Sequence, residues 1–227
     1  TNGLKLEGWI DDLVRNAGGR STVAVVGEGI TPLKDPLKTN YPDPHMWHDV
    51  GMWKIAAANT RDALVKLDPA NAAHYEARAA AYLSRLEVLD QWVKERVATL
   101  PANRRTLVTS HDAFQYFGKA YGFEVVAIQG LSTQTEAGAQ DLARVVELVR
   151  DQAVPAIFVE TSVNPKLIEQ VSRETGTKVG GTLYSDSLGD PDGPAGTYEG
   201  MIRANVDQVV DALGGKTAAA AVEKEEL

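Results

Sequence analysis

With 227 residues, 44% of them hydrophobic and 24% charged, the chain can build one large or two small cores. Its net charge of -8 argues against a nucleic-acid partner, and no apolar run approaches the ~20 residues of a membrane span. Zero cysteines exclude disulfides and thiolate metal ligands.

In chain order, "LEGWIDDLVRNAG" (6–18) places apolar residues at helical spacing and ends on Gly18-Gly19, a helix stop. "STVAVV" (21–26) reads as a short β-branched strand. Residues 27–44 lack periodicity and hold four prolines, which predicts a long loop. A helix is expected over 44–67, with Asp43 as its N-cap and Pro44 at its first position. After Asp68-Pro69, a longer helix is expected over 70–99, spanning about 40 Å at 1.5 Å per residue. Beyond Pro101 the pattern changes to short buried strands at 105–110, 124–129, 156–160 and 178–185. Helices are expected between and after them, at 112–121, 135–152, 164–175 and 197–213. Alternating strand and helix means parallel strands with right-handed crossovers, an α/β layer architecture. "KTAAAAVEKEEL" at the end shows no core pattern and reads as a frayed tail.

In an open parallel sheet, ligands bind at the carboxyl ends of the strands. Here the first strand of the second half runs straight into His111, the third ends in Glu160, and the fourth ends in "YSDS" with Asp186 at its lip. His45 lies outside that sheet, at a helix start, and can face the same cleft if the long helix joins two lobes. Two imidazoles and a carboxylate form a ligand set for zinc, manganese or iron. Taken singly, each residue also has a plain structural role. His45 can be a capping or solvated residue, His111 can open a helix, Glu160 can sit in an ion pair, and Asp186 can make an Asx turn. His48, three residues after His45, reads as a surface residue or a neighbour of the site. His74, in the long polar-faced helix, reads as structural.

Four separated segments, "DPHMW", "VTSHDAFQYFGKAYG", "IFVETSV" and "LYSDSLG", occur in that order, and "NGLKLEGW" precedes them. Together they resemble the metal-specific solute-binding proteins of bacterial ABC transporters, the cluster A-I family, over roughly residues 2–213. The resemblance implies an α/β fold of two lobes, with parallel sheets flanked by helices. One long rigid helix would join the lobes, with the metal site in the cleft between them. It divides the chain into a partial N-terminal lobe (1–68), a linking helix (69–101), a C-terminal α/β lobe (102–214) and a tail (215–227).

Carried over residue by residue, the resemblance makes His45, His111 and Asp186 metal ligands, with Glu160, Trp47 and Ser185 supporting them. It also implies that the sequence begins partway through the N-terminal lobe, since the family's first histidine lies upstream of anything present here. The implied function is capture of zinc, or alternatively manganese, in the periplasm or on the outer face of the cytoplasmic membrane. A lipid anchor and delivery of the metal to an ABC permease come with it. Two other classes remain open from the sequence: a mononuclear metalloenzyme, and a surface adhesin or scaffold of the same fold.

Overall fold

The computed structural model describes residues 1–18, 21–34, 41–133 and 137–215. The chain divides into two compact units, Thr1–Asp90 and Gln91–Leu227.

In the first unit, helix α1 (Ile10–Asn16) is shorter than expected and buries none of its residues. The segment 21–26 does not form a strand. A strand requires a partner ladder, and here the backbone finds only a residue or two. Val26 N–H donates to the Thr1 carbonyl and Gly27 N–H to that of Asn2. The side-chain amide of Asn59, in the helix that follows (Val50–Leu67), ties this extended stretch down through the carbonyls of Val26 and Glu28. Residues 35–40 of the proline-rich loop lie outside the described residues.

Helix α2 runs from Val50 to Leu67, not from Pro44. Its N-cap is Asp49, whose extended backbone lets Oδ1 accept the N–H groups of Gly51 at 2.7 Å and Met52 at 3.3 Å. Residues Met46–His48 form a separate 3₁₀ turn before it. The Trp53 indole donates to the Tyr82 hydroxyl at 2.9 Å, which fixes α2 against helix α3 (Ala72–Ala98). Helix α3 is alanine-rich and holds neither Gly nor Pro, so nothing interrupts it before the Pro101 stop. It continues across the boundary between the two units.

The second unit is the α/β body. Strands β1 (Thr106–Thr109) and β2 (Glu124–Ala127) pair in parallel, as do β3 (Ala156–Glu160) and β4 (Lys178–Leu183), and β1 lies beside β3. Helices α4 (Gln115–Tyr121), α5 (Ala139–Asp151), α6 (Lys166–Thr175) and α7 (Tyr198–Ala212) alternate with and follow the strands. Valine and isoleucine side chains of β1, β2, β3, α5 and α6 share one apolar core, including Val108, Val126, Val145, Ile157 and Ile168. Burying each such side chain is worth about 1.5–3 kcal/mol.

A bulge between Ile157 and Phe158 sets Gly180 against the Phe158 ring. A Cβ there would lie 2.7 Å from that ring and from Ala212, so only glycine allows the approach. The expected helix at 112–121 starts late, at Gln115. The backbone N–H of His111 is taken by Glu160, and that of Asp112 by the Gly130 carbonyl, which holds these residues in a turn. Of the expected tail, residues 216–227 lie outside the described residues.

Candidate metal centre

The second unit gathers four of the sequence-predicted residues at the carboxyl ends of its strands. His111 follows β1 by two residues, Glu160 closes β3, and Ser185 and Asp186 follow β4. The His111 imidazole is fully buried and sits between two carboxylates. Glu160, also buried, accepts the His111 backbone N–H through Oε1 at 2.8 Å and places Oε2 2.5 Å from Nδ1. On the other edge of the ring, Nε2 lies 3.5 Å from Oδ2 of Asp186, whose side chain remains one-third exposed. Ser185 is buried, with its hydroxyl 2.7 Å from that of Ser162.

This arrangement charges the ring. Burial works against the imidazolium, but hydrogen bonding to Asp186 and Glu160 and their negative charges outweigh it. Together they push the His111 pKa from 6.5 up to about 10. A proton is therefore held on the ring between the two carboxylates.

The first unit holds His45 at the N-terminal edge of the 3₁₀ turn, outside any α-helix. Its ring is buried, and Nδ1 lies 2.7 Å from Oδ1 of Asp43. The same carboxylate oxygen accepts the His45 backbone N–H at 2.9 Å. Asp43 thus makes an Asx turn onto the residue two places on, in place of the helix cap expected of it. Trp47 packs edge-on against the His45 ring with centroids 5.3 Å apart. His48 is buried, contrary to a surface position, because the 3₁₀ turn carries it inward and its ring lies 5.9 Å from that of Trp47. His74 is exposed beside the ring of Tyr75. Asp43 is the residue that sequence reasoning missed at this position. The signal was available: an aspartate two residues before a histidine, with proline between them, is the pattern of an Asx turn.

A family model described as "Zinc-uptake complex component A periplasmic" (ZnuA) matches residues 1–212. The zinc-binding protein TroA of Treponema pallidum is 38% identical, over 93% of this chain and 71% of its own length. The manganese-binding lipoprotein MntA of Bacillus subtilis is 37% identical, over 93% and 72%. The metal ABC transporter substrate-binding lipoprotein SsaB of Streptococcus sanguinis is 31% identical, over 93% and 71%. The solved structure of the periplasmic zinc-binding protein TroA superposes with a TM-score of 0.87 at 37% identity, covering 93% of this chain and 79% of that one. The α/β fold class expected from strand–helix alternation is thus shared with a solved relative.

Proposed function

Because the chain belongs to the family of periplasmic zinc-uptake component A proteins, we propose that it captures a divalent transition metal outside the cytoplasm and hands it to an ABC-type importer. Its named relatives are metal-binding transport proteins, and nothing in their names describes an enzyme. No helix among the described residues is long and apolar enough to cross a membrane. The partner we assign is the membrane permease of an ABC-type importer, which the name of the Streptococcus sanguinis relative supports. The place of action is the periplasm or the outer face of the cytoplasmic membrane, as the family description and the relatives' lipoprotein names support.

The ligands we assign are His45, His111 and Asp186, with Glu160 and Trp47 holding the two imidazoles and Ser185 bracing the strand end beside Asp186. One observation carries the reading: a fully buried imidazole clamped at Nδ1 by one carboxylate, with Nε2 facing a second. Metal-binding histidines are held in this way, because a partner at one nitrogen fixes the lone pair on the other. Zinc is the favoured metal, since two imidazoles and a carboxylate suit it and it outranks manganese on such donors. A fourth donor, from water or elsewhere, completes a tetrahedron.

Metal that binds the native state alone stabilises it by mass action, by about 2.7 kcal/mol at a hundredfold excess over Kd, and so raises the melting temperature. We expect zinc to stabilise the wild-type protein, His111→Ala to lose most of that gain, and His74→Ala to keep it. Equal melting shifts in wild type and His111→Ala would overturn the ligand assignment. Tighter binding of manganese than of zinc, by competition, would overturn the metal assignment alone.

A further inference from the structure

The two histidines are held alike, although their partners come from different kinds of structure. Glu160 reaches Nδ1 of His111 from the end of a buried strand. Asp43 reaches Nδ1 of His45 from a turn two residues away. That turn is fixed at several points. The Asp43 N–H donates to the Leu33 carbonyl at 2.8 Å, and Lys34 and Pro42 form an antiparallel bridge beside it. Asn2 donates through Nδ2 to the Pro44 carbonyl at 3.0 Å. Prolines on both sides of Asp43 restrict the backbone further. The carboxylate is 1% exposed, and its Oδ1 meets both the backbone N–H and the ring of His45.

We propose that Asp43 is a positioning residue for metal capture, one that fixes the His45 ring with its proton on Nδ1 and its lone pair on Nε2. A neutral imidazole carries one N–H and one acceptor nitrogen, and a carboxylate against one nitrogen makes that nitrogen the donor. The double contact adds orientation, because the oxygen that accepts from the backbone N–H also meets the ring. Ring rotation is thereby restricted before any ion arrives, and the cost of ordering this ligand falls on folding rather than on binding. The role rests on the assignment of His45 as a ligand. It differs from a helix cap, because Asp49, not Asp43, caps α2.

The test is a double-mutant cycle on zinc affinity, read against a competing chelator. It uses wild type, Asp43→Ala, His45→Ala and the double variant. Asp43→Asn is a size-matched second replacement in case the alanine variant folds poorly. We expect Asp43→Ala to weaken zinc binding about 10–100-fold, the range for partners behind a metal ligand. In the His45→Ala background the same change should cost nothing further. Nitrogen chemical shifts of His45 in the metal-free protein, read at a pH where the ring is neutral, should show the Nδ1–H tautomer in wild type and a mixture in Asp43→Ala.

Full zinc affinity in Asp43→Ala and Asp43→Asn, or an unchanged His45 tautomer in Asp43→Ala, would overturn the role of Asp43. So would an equal further loss in the His45→Ala background, which would mark a purely structural effect. Wild-type affinity in His45→Ala would instead sink the ligand assignment, so the two failures are told apart.

Discussion

At neutral pH, zinc should have to displace a proton from His111, and the size of that competition is set by the site. Burial, opposed and outweighed by the two carboxylates, leaves the ring with a pKa of about 10 against 6.5 in the unfolded chain. At pH 7 the metal-free ring is therefore protonated. Each pKa unit corresponds to about 1.4 kcal/mol, so removing the proton at pH 7 costs on the order of 4 kcal/mol. Apparent zinc affinity should rise close to tenfold per pH unit between pH 6.5 and 8.5. Calorimetric titration in two buffers of different ionisation enthalpy should find close to one proton released per zinc at pH 7.5.

The metal-free protein behaves in the opposite sense. Because the folded pKa lies above the unfolded one, the stabilisation is fully present below pH 6.5 and is lost as pH rises through about 10. Glu160→Gln removes one of the two negative partners and lowers the His111 pKa. The variant should release fewer protons and show a flatter pH dependence. Its deficit in zinc affinity should therefore grow with pH. Zinc binding that releases no proton and keeps one Kd from pH 6.5 to 8.5 would refute this account of the site.

Other expectations concern the frame around it. Asp49→Ala strips the cap from α2 and should cost about 1 kcal/mol in urea unfolding; no change would mean that the 3₁₀ turn caps the helix by itself. Gly118→Ala would set a Cβ 2.6 Å from Val125 and 2.8 Å from the Phe123 carbonyl. Its overpacking should cost about 1–3 kcal/mol despite the better helix propensity of alanine, and a more stable variant would contradict the packing described. Arg96 is buried and spans Asp207 at 2.8 Å and Asp211 at 2.5 Å, both half-exposed. Arg96→Ala should cost about 1–3 kcal/mol, less at high salt, and a loss that salt does not reduce would place its value in packing rather than charge.

How much of this was legible in the sequence depends on whether a feature is local or paired. Strands β1 and β3 were readable because strands covered on both faces are short continuous apolar runs, and "TLVT" and "AIFVE" are such runs. The order of the strands along the chain then put His111, Glu160 and Asp186 at strand ends, where α/β proteins bind ligands. "STVAVV" has the same composition yet forms no strand, because pairing belongs to two segments and this one makes isolated contacts rather than a ladder, Val26 N–H to the Thr1 carbonyl and the N-terminal amine to the Ala24 carbonyl. The start of α2 failed for a different reason. Asp43 and Asp49 are both good caps by type, and an aspartate side chain can accept either the N–H of a helix's first turn or that of the residue two places on. The residues on their C-terminal sides separate them. Pro44 offers no N–H, and after it the chain enters a 3₁₀ turn, so the carboxylate of Asp43 meets the N–H and the ring of His45. Asp49 precedes three residues that can all donate, and it makes the cap. The six-residue difference in helix start is thus the same event as the clamping of His45. A helix begun at Pro44 would have left that aspartate turned to the helix's own backbone, and the histidine without the carboxylate that holds it.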